Sequence, residues 1–233
     1  MTRHPLDRPA WGALAGRQRG FAIGDGLARR YDPEVGPFAA VGSDEPDHLA
    51  ALGRLVRAHG RAVLLQAPPA PVPPGTAERL RAPGVQLVLD RLVAPRDPSP
   101  PDVLELGAAD AAEMLALARL TEPGPFEPRT HELGGFLGVR DPGTGALVAM
   151  AGERMRPDGH TELSGVCTHP DHRGRGLAAA LSVAVARRIL ARDETPFLHA
   201  FARNRSAIAL YERLGFVHRA DVEVVVLEAD PRD

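Results

Sequence analysis

Apolar and polar positions along the chain fall into two unequal patterns, one on each side of a proline-rich stretch. From residue 103 onward the pattern is dense. "VLEL" (103–106) predicts a short strand, and "AADAAEMLALARL" (108–120) a helix with Met114, Leu115 and Ala118 at helical spacing. Apolar runs near 136–140, 146–155 and 161–168 are divided by Asp141-Pro142-Gly143 and Pro157-Asp158-Gly159, turn chemistry that predicts an antiparallel meander. Leu181, Val185 and Ile189 make an apolar stripe on a helix from about Ala178 to Arg192. A strand at 196–201, a helix at 206–215 stopped by Gly215, and a strand at 222–228 complete the order β-α-β-β-β-α-β-α-β.

The earlier part of the chain carries sparser signals. Ser43 is placed to cap a helix from Asp44 to His59, with Leu49, Leu52, Leu55 and Val56 on one face. "AVLLQ" (62–66) and "VQLVLD" (85–90) predict buried strands, and "APPAPVPPG" (67–75) a long loop between them. "VAPRDPSPPD" (93–102) forbids a helix or a central strand through its prolines, so the boundary is placed there. The expectation is an α/β (α+β) protein: a smaller N-terminal half, 1–95, and a second domain, 102–233, with a central mixed, mostly antiparallel sheet flanked by helices.

Composition narrows the classes. The 233 residues hold 28 basic and 30 acidic side chains, a net charge of -2, which argues against non-specific nucleic-acid binding. Every basic residue counted is Arg, with no Lys, so a single Arg carries little weight as a signal. Cys167 is the one cysteine, which excludes an intrachain disulfide and a multi-cysteine metal site. The start, "MTRHPLDRPAWGAL", lacks the apolar core of a secretory signal, and no apolar run approaches the roughly 20 residues that span a bilayer. A cytoplasmic protein without a membrane anchor is expected.

The chemistry concentrates in "THPDHRGRGLAAAL" (168–181), a strand-to-helix junction. Orphan amides and the helix dipole make such a junction an anion site. Gly174 and Gly176 let the backbone approach a phosphate, while Arg173 and Arg175 add charge. The P-loop pattern is excluded for want of Lys, and the dinucleotide G-x-G-x-x-G because Ala179 stands where the third glycine belongs.

Downstream, Asn204, Ala207, Leu210, Tyr211, Gly215 and Phe216 occur in "NRSAIALYERLGF". This block, together with Arg173-Gly174-Arg175-Gly176-Leu177-Ala178, resembles the paired motifs of the GNAT superfamily of acyl-CoA-dependent N-acyltransferases. Over 102–228 the chain looks closest to the FR47-like subgroup related to glycine N-acyltransferases. The resemblance implies a GNAT fold with acetyl-CoA as acyl donor and an amine as acceptor. It implies the CoA pyrophosphate on the amides from Gly174 through Leu177, Ala178 and Ala179. It also implies the pantetheine arm along Val166, Cys167 and Thr168, with Asn204 beside it and Tyr211 aimed at the sulfur. Dimers are common in that family, which leaves the oligomeric state open.

Tyr211, with a reference pKa near ~10, can protonate a departing thiolate. The leading base is Glu162, placed by strand alternation on the face of Val166, as several family members place a glutamate. His199, mid-strand in "PFLHAF", is its rival, and a water chain the third possibility. Cys167 beside His169 suggests no nucleophile where transfer is direct, and "HPDH" (169–172) lacks the partners of a metal site, so no metal is expected. Glu122, Glu127 and Glu132 could attract a cationic amine. A non-catalytic acyl-CoA-binding or sensing module is the competing class; an acid at Tyr211 favours the enzyme.

Overall fold

The computed structural model describes residues 4–95 and 102–232; residues 96–101 of the proline-rich boundary lie outside them. A turn at Pro5–Asp7 leads into α1 (Pro9–Ala15), and β1 (Ala22–Gly24), β2 (Ala28–Tyr31) and β3 (Ala39–Val41) form a small antiparallel sheet. These strands of three or four residues are too short for a period to show in the sequence. α2 (Pro46–His59) starts later than expected, because Pro46 presets the first helical turn. Ser43 accepts instead from the Glu45 amide at 3.3 Å, outside the helix. β4 (Ala62–Gln66) matches its apolar run, whereas β5 (Thr76–Leu89) begins well before Val85. Its polar first half is held by ladder pairing, which hydrophobicity does not report.

The second half follows the expected order: β6 (Leu104–Leu106), α3 (Ala111–Thr121), β7 (Phe136–Arg140), β8 (Leu147–Glu153), β9 (His160–Thr168), α4 (Leu177–Leu190), β10 (Thr195–Phe201), α5 (Arg205–Arg213) and β11 (Phe216–Ala229). One eight-stranded sheet, β4-β11-β5-β10-β9-β8-β7-β6, contains strands of both halves. Only β9 and β10 are parallel neighbours, so the sheet is mixed and mostly antiparallel as expected. β5 lies between β10 and β11. On one face Leu87 and Leu89 join Leu163, Leu181, Ile189 and Leu214 under α4 and α5. Each such buried side chain contributes on the order of 2 kcal/mol. On the other face Leu6, Leu14, Tyr31 and Phe38 pack over Val63, Phe197, Val222 and Val226.

Two irregularities position the site. β9 and β10 pair at His160/Thr195, Thr161/Pro196 and Glu162/Phe197, and then part. β10 stays paired to β5 through Phe201, and β9 to β8 through Thr168, so each strand turns an open edge to the gap. Within β9, Gly165 and Val166 stand against the single residue Ala151, a bulge between the pairs Met150/Cys167 and Gly152/Ser164. Gly165 takes φ +64, a conformation glycine adopts without strain. The bulge reverses the alternation: Val166 packs with Leu163 on the α4 face, and Glu162 lies on the opposite face. The expectation that Glu162 and Val166 share a face fails for this reason.

Gly215 stitches the halves together. It turns α5 into β11 at φ +93, its carbonyl accepts from the Asp90 and Arg91 amides at 3.1 and 3.4 Å, and a Cβ there would stand 1.8 Å from the Arg91 oxygen. Gly215→Ala is expected to cost about 3 kcal/mol, a fall of roughly 6–12 °C in the thermal midpoint. An unchanged midpoint would contradict this junction.

Candidate active site

A cavity of about 1060 Å³ occupies the gap between β9 and β10. Leu163 to Thr168 and His199 to Phe201 line its middle. The glycine turn and α5 line one end, and Phe38, Val63, Leu65, Val222 and Val226 the other. The sheet therefore opens toward two chemically different chambers, one rich in backbone donors and one of apolar side chains joined by Arg61 and Arg154, the latter over the Phe38 ring at 4.4 Å.

At the first end, Gly174 and Gly176 adopt φ +76 and +74, and a Cβ on either would meet no atom within 4 Å. Gly176 is the N-cap of α4 and brings no side chain to cap it. The first helical bond runs from the Ala180 amide to the Gly176 carbonyl, which leaves the amides of Leu177, Ala178 and Ala179 without intrahelical acceptors. Arg173 and Arg175 flank the turn on long contacts: Arg173 Nε donates to Thr168 O at 3.3 Å, and Arg175 donates to Asp171 O and to His172 Nδ1, each at 3.4 Å. Thr168 Oγ1 is buried in the cavity wall without a partner among the described residues. Open donors, spare charge and room for a bulky anion fit a pyrophosphate.

Asn204 caps α5, its Oδ1 accepting from the Ala207 amide at 3.2 Å, and lines the same cavity. Tyr211 lies seven residues and two helical turns onward, its ring edge-on to Phe216 at 5.9 Å. Burial pushes its phenol above the ordinary value, as does the neighbouring Cys167, so it stays protonated at neutral pH. Burial likewise pushes the Cys167 thiol up to about 11, against hydrogen bonds with Thr121 and the Met150 backbone; a thiol so held is no nucleophile at neutral pH.

Glu162 does not meet its expectation as a base facing the acceptor. It is fully buried and absent from the cavity lining. Arg154 clasps it with Nε to Oε2 at 2.8 Å and Nη2 to Oε1 at 2.7 Å, and His199 Nδ1 lies 2.7 Å from Oε1. Burial alone would raise its pKa; the Arg154 guanidinium, with the hydrogen bonds from Arg154 and His199, outweighs that and brings it down to about 2. A carboxylate so stabilised is a poor proton acceptor. His199 is the member of the pair that lines the cavity.

Of the three acidic residues upstream of β7, Glu122 lines the cavity. Glu127 lines an adjoining hollow of about 480 Å³ with Arg61, and Glu132 is tied to Arg129 at 2.8 Å. Among the described residues, no group of three His, Cys, Asp or Glu side chains could hold a metal ion, and no helix is long and apolar enough to cross a membrane.

Comparison with known proteins bears on this geometry. The FR47-like protein family matches residues 136–225, which include β9, the glycine turn and α5. The crystal structure of a candidate acetyltransferase of the GNAT family from Novosphingobium aromaticivorans DSM 12444 is 44% identical to this chain. It covers 98% of this chain and 100% of that one, with a TM-score of 0.89. This chain belongs to the GNAT family of acetyltransferases. A GCN5-related N-acetyltransferase from Kribbella flavida shares the fold at 23% identity, covering 97% of this chain and 95% of that one at a TM-score of 0.62. A tandem GNAT protein from the clavulanic acid biosynthesis pathway does so at 19%, covering 88% and 79%, with a TM-score of 0.57. No curated protein matches the sequence.

Two residues of this GNAT site escaped sequence reasoning. Arg154 is one Arg among many in the chain and carries no mark. Gln86 is the single amide inside the apolar run "VQLVL", and a lone polar residue in a buried strand is a usable signal.

The depressed Glu162 value, about 2 against an ordinary 4.5, gives a signed expectation. Its stabilisation is complete above the ordinary value and is lost as pH falls from there through the folded value. Glu162→Gln is expected to be about 3 kcal/mol less stable than the parent at pH 7. Urea denaturation should show that gap closing toward pH 3; a gap independent of pH would contradict the ion pair.

Proposed function

We propose that this GNAT protein is an acyl-CoA-dependent N-acyltransferase, with acetyl-CoA as donor, that acylates an amine of a small molecule or peptide by direct attack. The observation that carries the reading is the gap between β9 and β10, which joins an uncapped, glycine-lined helix start to the chamber at Phe38 and Val63 through one continuous cavity. In this reading the amides from Gly174 to Ala179 hold the pyrophosphate, with Arg173 and Arg175 outside it. The open edge of β9 at Val166, Cys167 and Thr168 takes the pantetheine amides as an added strand would, with Asn204 alongside. Residues 1–95 form a divergent GNAT-like half that has no glycine turn of this kind and walls the acceptor chamber. Phe38, Val63, Leu65 and Val222 line that chamber together with Arg61 and Arg154, so it offers the acceptor both apolar and cationic surface. The cytoplasm, where acyl-CoA is made and used, is the proposed setting.

The amine nitrogen attacks the thioester carbon, the new C–N bond forms and the C–S bond breaks. His199 takes the proton shed by the amine, positioned by Glu162, whose carboxylate favours the imidazolium formed. Tyr211 gives its phenolic proton to the departing thiolate, and solvent returns a proton from the imidazolium to the phenolate. Burial serves Tyr211 here by keeping the proton in place until the sulfur develops charge.

Acetyl-CoA titration by calorimetry, followed by thiol release against a panel of amines, tests the reading. Gly176→Asp is expected to weaken acetyl-CoA binding about 30-fold or more, since a carboxylate at the N-cap both repels phosphate and occupies its donors. A side chain at Gly176 meets no neighbouring atom but is strained by φ +74 at a cost of about 1 kcal/mol, so the thermal midpoint is measured beside the binding and should fall by only a few degrees. Tyr211→Phe is expected to bind normally and release thiol about 100-fold more slowly. Binding without thiol release toward any amine would make the protein a binder, and no binding at all would remove the reading.

A further inference from the structure

Gln86, on the strand contributed by the first half, touches the site from behind. It is fully buried and sits directly across from His199 in the β5–β10 ladder. Its amide orientation is set by three partners. Arg219 Nη1 donates to Gln86 Oε1 at 2.7 Å, which assigns the oxygen to that side. Gln86 Nε2 then donates to the Leu6 carbonyl at 2.8 Å and faces His199 Nε2 at 2.9 Å. A donor pointing at Nε2 requires a lone pair there, and His199 must carry its proton on Nδ1, where Glu162 Oε1 accepts it.

We infer that Gln86 is a positioning residue for the acyl transfer: it fixes the Nδ1–H tautomer of His199 and opposes protonation at Nε2, keeping the imidazole a neutral base. Protonating Nε2 would set one N–H against another in a buried place, and the carboxamide cannot turn round without presenting its NH₂ to Arg219. Arg219 is itself held by an ion pair with Asp7 from the N-terminal turn. Both ring nitrogens of His199 are thereby engaged, so the imidazole takes a proton at Nε2 only when its contact with Gln86 opens.

The charges facing His199 divide in sign. Glu162 on β9 favours the imidazolium, and Arg154, ion-paired to it, counters that effect. Arg219 on β11 disfavours the imidazolium and Asp7 offsets it. Tyr31 on β2 lies near Glu162, with its hydroxyl donating to Gln18 at 2.7 Å, and burial raises its pKa, so it is neutral. His160 on β9 meets the ring of Phe197, which in turn lies edge-on to His199 at 5.6 Å.

This inference rests on the reading of His199 as the base, and the test separates the two. In the ¹⁵N-labelled full chain at pH 7.5, His199 should show a protonated Nδ1 and an unprotonated Nε2. In Gln86→Leu its titration midpoint should rise by about one unit, and in the isosteric Gln86→Glu, where a carboxylate accepts from Nε2–H, by about two. The acid limb of kcat/KM should move to higher pH by the same amounts. A wild-type proton on Nε2 at pH 7.5, or midpoints unmoved in the variants, would overturn the inference. The wild-type tautomer needs no variant to fold. Undiminished activity in His199→Ala would remove the base reading, while the imidazole titration would still decide what Gln86 does.

Discussion

Two parallel strands that stop pairing after three residues shape everything else in this molecule. Beyond Glu162 and Phe197 the backbone of β9 and the backbone of β10 each have one edge without a ladder partner. Buried backbone groups in folded proteins are almost always satisfied. Here the edges stay apart because each strand is held on its far side, β10 by β5 and β9 by β8, and because the bulge at Gly165 bends β9 away. The result is a slot lined with donors and acceptors, and the glycine turn lies at one end because it is the direct continuation of β9 into α4. An extended, amide-bearing molecule that ends in phosphate matches both features at once in the proposed function.

The same constraint explains why the first half is integral to the sheet. β5 pairs along β11 from Thr76 to Leu89 and along β10 from Gly84 to Val88, keeping β10 on its side of the gap. It also delivers Gln86 behind His199, while Phe38, Val63 and Leu65 wall the far chamber. Five polar groups, Arg219, Gln86, His199, Glu162 and Arg154, thus link four sheet strands and the turn after β8 into one buried chain of hydrogen bonds. Such a chain is costly when broken and rigid when complete.

The sequence made some of this legible and hid the rest, for identifiable reasons. The second-half elements were readable because Leu181, Val185 and Ile189, and the turns at Asp141 and Pro157, give strong periods and stops. The glycine turn was readable because Gly174 and Gly176 occupy left-handed positions that their spacing to Asn204 and Tyr211 makes recognisable. The faces of β9 were misread, since strict alternation has no knowledge of the bulge at Gly165. Glu162 drew attention as a carboxylate near the site, but its partner Arg154 comes from the turn after β8 and is indistinguishable in sequence from other Arg residues. β1 to β3 are too short to have a pattern, and the polar half of β5 is a strand only because β11 pairs with it.

The central claim is that the slot and the turn form one binding surface for an acyl-CoA. Amide hydrogen exchange, measured with and without saturating acetyl-CoA, addresses it most directly, because it reads the backbone groups themselves. The account predicts that exchange slows about tenfold or more at residues 163–168 and 174–179 together, with little change at β6 and β7. Protection confined to some other surface, or exchange at both segments unaffected by acetyl-CoA, would contradict it.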